Sequence, residues 1–147
     1  MPNKEELIKY TAEFFERHWP RDLELSPPVW DIGWSWSGSV PHHDKGGVYA
    51  LFSANGDVLY VGLGISSGGG PYDQHGISRR LIAHVIATDK SKGRGHYVPQ
   101  DKWQDVKDLG AVGFPAEYSY LAAALEDFLI RKLAPSRNAV KKRGVVA

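Results

Sequence analysis

Residues 46–62, GGVYALFSANGDVLYVG, decide the fold. Two short apolar runs flank Asn55-Gly56, which is the strongest short-range sequence signal for a β-hairpin. A two-residue turn at this pair places Tyr49 opposite Gly62 and puts Tyr49 and Tyr60 on one face, as diagonal neighbours about 7–8 Å apart. A shift of one residue would send the two phenols to opposite faces. The pattern therefore predicts two phenols presented together beside glycines.

Two tripeptides of this hairpin resemble the paired motifs of the GIY-YIG nuclease superfamily. The residues are Gly47-Val48-Tyr49 and Tyr60-Val61-Gly62. Further motifs follow in the family's order. Arg80-Leu81 with His84 is similar to the family's helix motif R-L-x-x-H. The family's ending L-E-x-x-L-I…P-x-x-N is similar to Leu125-Glu126, Leu129-Ile130, Pro135 and Asn138. The resemblance covers roughly residues 46–138.

The resemblance implies an α/β fold with a small, mainly antiparallel three-stranded sheet flanked by helices. An N-terminal helix and an extra Trp-rich strand, within residues 1–45, would pack on the catalytic core of residues 46–138. Residues 139–147 would form a basic tail, since they include Lys141, Lys142 and Arg143 and no acid. This tail fits phosphate binding and fits a solvated tail equally well.

The composition is that of a globular chain with one core. It has 147 residues, no cysteine and a formal net charge of only +1, so disulfides and thiolate chemistry are excluded and bulk charge does not indicate a nucleic-acid partner. No apolar run approaches the roughly 20 residues of a membrane span. We expect no membrane partner and a cytoplasmic location.

The N-terminal part predicts a helix followed by a strand. Residues 4–19 carry apolar side chains near helical spacing, and Pro20 ends the helix. Trp30, Trp34 and Trp36 then alternate with small or polar residues, and this period of two predicts a strand with three indoles on one face. Such a face would either pack on the core or stack on unpaired bases.

Residues 77–87 predict a helix on which Arg80 and His84, four residues apart, share one side. The preceding Gly-rich residues 64–76 predict a surface loop suited to contact DNA. The polar run His42-His43-Asp44 favours a loop over a metal site, because neighbouring side chains rarely converge on one ion without distant partners.

Residues 106–114 predict a strand, and residues 115–133 predict a helix that carries Glu126 inside an apolar stripe. A carboxylate in that position is costly unless it is paired or binds a cation. This reasoning about Glu126 does not depend on the resemblance.

The resemblance implies a divalent-metal-dependent endonuclease that cleaves DNA with one metal ion and a tyrosine-activated water. Tyr49 is the first choice as general base, its pKa lowered by a nearby cation, while Tyr60 orients water or phosphate. Arg80 would bind the phosphate, His84 would relay a proton or hydrogen-bond the phosphate, and Glu126 would hold Mg²⁺ or Mn²⁺. Substrate contacts are expected from a further set: Lys45, Gly62, Lys92, Arg94 and Asn138. For Asn138, bracing of the site and capping of a loop are open alternatives.

Two other functions remain open at this stage. One is a nucleic-acid-binding module on the same fold that does not cleave, and the other is a nuclease toxin or phage-defence factor with the same chemistry. The sequence does not decide between DNA and RNA, between nicking and double-strand cutting, or between oligomeric states.

Overall fold

The computed structural model describes residues 1–22, 24–65 and 75–138. Within these ranges the chain forms an α/β fold with three α-helices, a four-stranded antiparallel sheet and a separate two-stranded sheet. In chain order the elements are α1 (Lys4–His18), β1 (Asp31–Ile32), β2 (Gly46–Phe52), β3 (Val58–Gly64), α2 (Gly76–His84), β4 (Ile86–Thr88), β5 (Tyr97–Pro99), β6 (Asp108–Phe114) and α3 (Tyr120–Leu133).

The main sheet has the strand order β1-β6-β2-β3, with every pair antiparallel. The predicted three strands are β6, β2 and β3, and the predicted extra strand of the Trp segment is the short β1, which pairs with β6. Gly110 of β6 makes this pairing possible, since a side chain there would overlap the backbone oxygen of Asp31. A glycine that weakens a strand on its own thus permits the close approach of its neighbour.

The β2–β3 turn contains three residues, Ala54, Asn55 and Gly56, and not the predicted two. The Ser53 N–H donates to the Asp57 carbonyl at 3.0 Å, and Gly56 has φ +82°. A bulge after this turn, at Leu59, shifts the pairing by one residue, so that Leu51 lies opposite Tyr60 as predicted. The turn prediction is wrong, but the bulge restores the predicted register beyond it.

The two faces of the main sheet pack against different elements. On one face, which we call the apolar face, Val48, Ala50 and Val61 pack with side chains of α1 and α3. On the other, which we call the tyrosine face, Tyr49 and Leu51 pack with side chains of α2. The sequence prediction that Tyr49 and Tyr60 share a face opposite Val48, Ala50 and Val61 is confirmed.

The Trp-rich segment does not form the predicted long strand. Only Asp31 and Ile32 pair with β6, because Gly33 and Trp36 have φ of +94° and +66° and break the extended conformation. Trp30 is buried in the apolar-face cluster, whereas Trp34 and Trp36 pack against the tyrosine-face cluster. The prediction of three indoles on one face is therefore wrong.

The helices largely follow the predictions. Asn3 caps α1 by accepting a hydrogen bond from the Glu6 N–H at 3.0 Å, and the helix ends before Pro20. Helix α2 ends at His84, three residues earlier than predicted, and α3 begins only at Tyr120. In the part of the chain that the structure describes, none of the helices has the length and apolar character needed to cross a bilayer.

Candidate functional site

Two phenols form the centre of the tyrosine face. The ring centroids of Tyr49 and Tyr60 lie 6.1 Å apart with an interplanar angle of 36°. Tyr49, on the inner strand β2, is 1 % exposed. Tyr60 is on the edge strand β3 and is only partly buried. Of the two hydroxyl-bearing rings, Tyr60 is therefore the one more open to solvent and substrate.

Glycines in both tripeptides make room for this arrangement. The Tyr49 ring lies over Gly62, so a Cβ at position 62 would overlap the ring and its hydroxyl oxygen. Gly47 lies against the carbonyl oxygen of Val112 and the side chain of Ile77, and a Cβ there would overlap that oxygen. The glycines are needed for close approach, and Gly62 specifically allows the buried position of the Tyr49 phenol.

Arg80 acts directly on the Tyr49 phenol. Helix α2 places its guanidinium close enough to favour the phenolate by charge and by a hydrogen bond. Burial has the larger, opposite effect, and the neighbouring Tyr60 adds to it, so the pKa of Tyr49 is raised well above its usual range. The expected effect of a nearby cation is thus present, because Arg80 lowers the pKa of Tyr49, but burial outweighs it. Tyr49 keeps its proton at neutral pH.

His84 lies one turn after Arg80 at the end of α2, as predicted. Its pKa is lowered by partial loss of hydration and then by the positive charges of Arg80 and Lys102. Three groups that are cationic or can become so, Arg80, His84 and Lys102, thus influence one another. Lys102 was not predicted from the sequence, because only the fold brings the segment before β6 next to α2.

Trp103 connects the tyrosine face to α2 and to the end of the described chain. Its ring centroid lies 5.2 Å from that of Tyr60, and its indole N–H donates to the His84 carbonyl at 2.8 Å. The guanidinium carbon of Arg137 lies 4.2 Å from the Trp103 ring centroid. Arg137 is itself fixed by two hydrogen bonds to the Asp105 carboxylate, at 2.9 and 3.0 Å. Trp103 thus supports the Tyr60 ring, and no local sequence pattern predicts this contact.

Asn138 braces the strand that carries Tyr60. Its side-chain oxygen accepts from the Val61 N–H at 3.0 Å, and its amide nitrogen donates to the Val61 carbonyl at 2.9 Å. The preceding N–H, of Arg137, donates to the Leu59 carbonyl at 3.0 Å. Asn138 is 5 % exposed. Its geometry fits the bracing role more directly than a contact with substrate.

Glu126 is buried, with 7 % exposure, among the apolar side chains of α3 as its spacing predicts. These neighbours belong to the apolar-face cluster, whereas both phenols belong to the tyrosine face. Residues 1–22, 24–65 and 75–138 contain no group of three or more His, Cys, Asp or Glu side chains arranged to hold a metal ion. A site based on one carboxylate, completed by water and phosphate oxygens, is compatible with this donor set and suits Mg²⁺ or Mn²⁺.

The remaining predicted substrate contacts lie in two loops. Lys45 follows β1 in the segment that leads into β2; its carbonyl accepts from the Ile77 N–H at 3.1 Å, and its stem packs over Gly113. Lys92 and Arg94 are exposed in the loop between β4 and β5. Most of the predicted Gly-rich loop and the basic tail of residues 139–147 lie outside the described residues.

The structure thus brings together Tyr49, Tyr60, Gly62, Arg80 and His84 and adds Lys102 and Trp103 to them. Positive groups beside two phenols can bind an oxyanion such as a phosphodiester, and the phenols can donate or accept a proton there. In comparisons with known proteins, the chain matches no family model, no curated protein and no solved structure.

Proposed function

We propose that this protein is a divalent-metal-dependent endonuclease that hydrolyses phosphodiester bonds in DNA. The observation that supports this most strongly is the contact between the Tyr49 and Tyr60 rings beside Arg80. The resemblance to GIY-YIG nucleases gives the same residues these roles, and the strand order around the β2–β3 hairpin is compatible with a fold of that kind.

Phosphodiester hydrolysis needs a positively charged group that meets the phosphate as negative charge develops. Arg80 fits this role, because a guanidinium offers a planar fork of N–H donors and lies beside the Tyr49 phenol. His84 and Lys102 extend the positive surface from Arg80 toward Trp103. We assign Arg80 to the reacting phosphate and Lys102 to its neighbour along the strand.

The two tyrosines then take different roles, because their exposures differ. Tyr49 is buried and keeps its proton, so it donates a hydrogen bond to the attacking water or to a phosphate oxygen. Tyr60 is partly exposed. In its phenolate form it would take a proton from the attacking water and become a neutral phenol as the water oxygen bonds to phosphorus and the 3′ oxygen leaves. This reverses the assignment based on sequence, in which Tyr49 is the base.

Glu126 is the residue that would hold Mg²⁺ or Mn²⁺. A divalent ion supplies Lewis-acid polarisation of the phosphate when it is bound. The support for this assignment is the position of Glu126 in the L-E-x-x-L-I motif, since its neighbours in the apolar-face cluster do not by themselves place it beside the phenols. Asp127, the next carboxylate on the helix, is ion-paired with Arg131 on an exposed side and has no such role.

The test is incubation of supercoiled plasmid with the protein, with Mg²⁺ or with EDTA. We expect nicked or linear product only with the metal, no product from Glu126→Gln, and unchanged cleavage by the control Asp127→Asn. Circular dichroism of both variants checks folding. Binding of DNA without cleavage under every metal condition would instead support a non-cleaving binding module. Unfolding of Glu126→Gln would make this residue a core anchor.

A further inference from the structure

A row of three aromatic side chains lies on the tyrosine face away from the phenol pair. Ring centroids are 5.3 Å apart for Trp34 and Trp36 and 5.6 Å apart for Trp34 and Tyr97. Trp34 therefore lies between the other two, and Trp36 and Tyr97 form the ends of the row. All three are only partly buried. The proposed cleavage reaction uses none of them.

The backbone holds Trp36 in a conformation that large residues rarely adopt. Its φ of +66° lies in the left-handed region, where glycine is the usual residue. Its carbonyl accepts from the Tyr97 N–H at 2.8 Å, and its indole N–H donates to the Lys107 carbonyl at 2.8 Å. Strained residues of this kind cluster where a binding surface requires a fixed side chain. The hydrogen bond from its N–H to the Lys107 carbonyl holds the Trp36 indole in one orientation.

Exposed cations lie next to this row. The β4–β5 loop presents Lys90, Lys92 and Arg94 to solvent. The loop is attached to the Trp segment because the Gly38 N–H donates to the Gly95 carbonyl at 2.8 Å and Ser37 pairs with His96. The single acid of the loop, Asp89, already accepts two hydrogen bonds from Ser91, at 2.7 and 3.0 Å. The net charge beside the aromatic row is therefore positive.

We propose that Trp36, Trp34 and Tyr97, with Lys92 and Arg94, bind an unpaired nucleic-acid strand. Base faces stack on aromatic rings while cations follow the phosphates, and this combination is typical of single-strand binding. In a duplex the base faces are covered by neighbouring bases, so a duplex would be attracted to this surface only through its phosphates. We call these five residues the Trp36 surface. The inference rests on the proposed function in one respect, because it identifies DNA with a single-stranded portion as the substrate class of the nuclease.

The test measures binding in EDTA, so that no cleavage occurs. Fluorescein-labelled oligothymidine, a blunt duplex and a duplex with a single-stranded overhang are titrated with wild-type protein and variants. We expect tighter binding of the overhang substrate than of the blunt duplex. Trp36→Leu should weaken oligothymidine binding about tenfold, since one stacked base accounts for that much, and should leave blunt-duplex binding unchanged.

Two control variants make the result specific. Trp36→Phe keeps a ring and should recover most of the oligothymidine affinity, which a purely structural role of the Lys107 hydrogen bond would not allow. Tyr120→Leu removes an aromatic side chain that is 65 % exposed at the start of α3, and it should change nothing. Lys92→Gln with Arg94→Gln should flatten the salt dependence for all three probes. Thermal unfolding confirms that each variant is folded.

Failure of this inference and failure of the proposed function give different results. Equal affinities of wild type, Trp36→Leu and Trp36→Phe for oligothymidine would overturn the Trp36 surface, even if the plasmid is cleaved. So would equal weakening of single-strand and duplex binding by Trp36→Leu. A ring-dependent preference for single strands without cleavage of any DNA would support the surface and overturn the nuclease.

Discussion

The two faces of the main sheet are both well packed, yet their side chains differ in kind. The apolar face is filled by aliphatic side chains and phenyl rings from α1, α3 and the sheet and by the indoles of Trp19 and Trp30, with the Glu126 carboxyl buried on α3. The tyrosine face carries phenols, indoles and, at its margin, Arg80 and His84. The same strands thus supply two packed clusters, and alternation along each strand puts the phenols in only one of them.

This difference indicates which substitutions should act on stability and which on chemistry, with Glu126 as the exception because the proposed function assigns it the metal. Removing volume from the apolar face leaves a cavity that the close-packed core cannot fill. Removing a polar group from the margin of the tyrosine face leaves the packing intact and alters the local charge. The following predictions test that separation.

Leu129→Ala should have the largest effect on stability, and none on chemistry. Leu129 is fully buried on the apolar face, so truncation should lower the free energy of unfolding by about 2–5 kcal/mol. Urea denaturation measures this loss, and Tyr120→Ala, at an exposed position of α3, is the control. Cleavage per folded molecule, measured well below the melting temperature, should be unchanged. A large loss of kcat in folded Leu129→Ala would break the separation of the two faces.

Arg80→Ala should show the opposite behaviour. We expect a loss of about 10²–10³-fold in kcat, because one preorganised donor to the developing charge is removed, with a small change in the unfolding midpoint. Arg80→Lys should recover little, since an ammonium lacks the planar fork. Single-turnover cleavage measures the effect, with Arg79→Ala as the neighbouring control. If Arg79→Ala is the damaging variant, the assignment of the helix motif is off by one residue.

For His84 we predict a smaller effect, a dependence of DNA affinity on pH. Its pKa is lowered in the free protein by loss of hydration and by Arg80 and Lys102. A bound phosphate offsets those two charges and raises the pKa again, so binding takes up a proton. Affinity for DNA should therefore rise as pH falls from above the pKa of His84 in the complex toward its lower pKa in the free protein, by a few-fold only because solvent screens the site. Fluorescence anisotropy at several pH values measures this, and His84→Gln should abolish the pH dependence.

Ala134→Gly should give the smallest effect, and it concerns the exposed end of α3. Ala134 ends α3 with φ +44° and ψ +59°, a left-handed conformation that glycine adopts without strain. We expect the free energy of unfolding to increase by about 0.5 kcal/mol. Ala124→Gly, at an exposed interior position of the same helix, should instead lower it by about 0.5–1 kcal/mol. Equal signs for the two variants would contradict the helix-end geometry.

The sequence predicts the hairpin register and the shared face of the phenols, because alternation and turn chemistry act locally. It does not predict the third turn residue. The Ser53 hydroxyl accepts from the N–H groups of Asn55 and Asp57, both at 3.2 Å, and thereby supports a longer loop. The bulge at Leu59 corrects the register. It arises from the pairing of β3 with β2, and the sequence of one strand alone does not determine that pairing.

The Trp segment and Trp103 show two further limits of sequence reasoning. The alternation of Trp30, Trp34 and Trp36 predicts one face, but a left-handed residue between extended ones reverses the direction of the side chains that follow. Trp103 and Tyr60 are far apart in sequence, and their contact follows from the return of the chain beside α2. Backbone conformation in the first case and tertiary packing in the second decide the outcome.

Asn138 has a consequence for how this protein behaves at high concentration. The strand β3 is at the edge of the main sheet, and an edge strand offers unpaired N–H and C=O groups to the strands of other molecules. Asn138 satisfies both groups of Val61 with one side chain, and the Arg137 N–H satisfies the carbonyl of Leu59. A side-chain amide thus occupies the position of a neighbouring strand, and it protects this edge from self-association without adding a strand to the sheet.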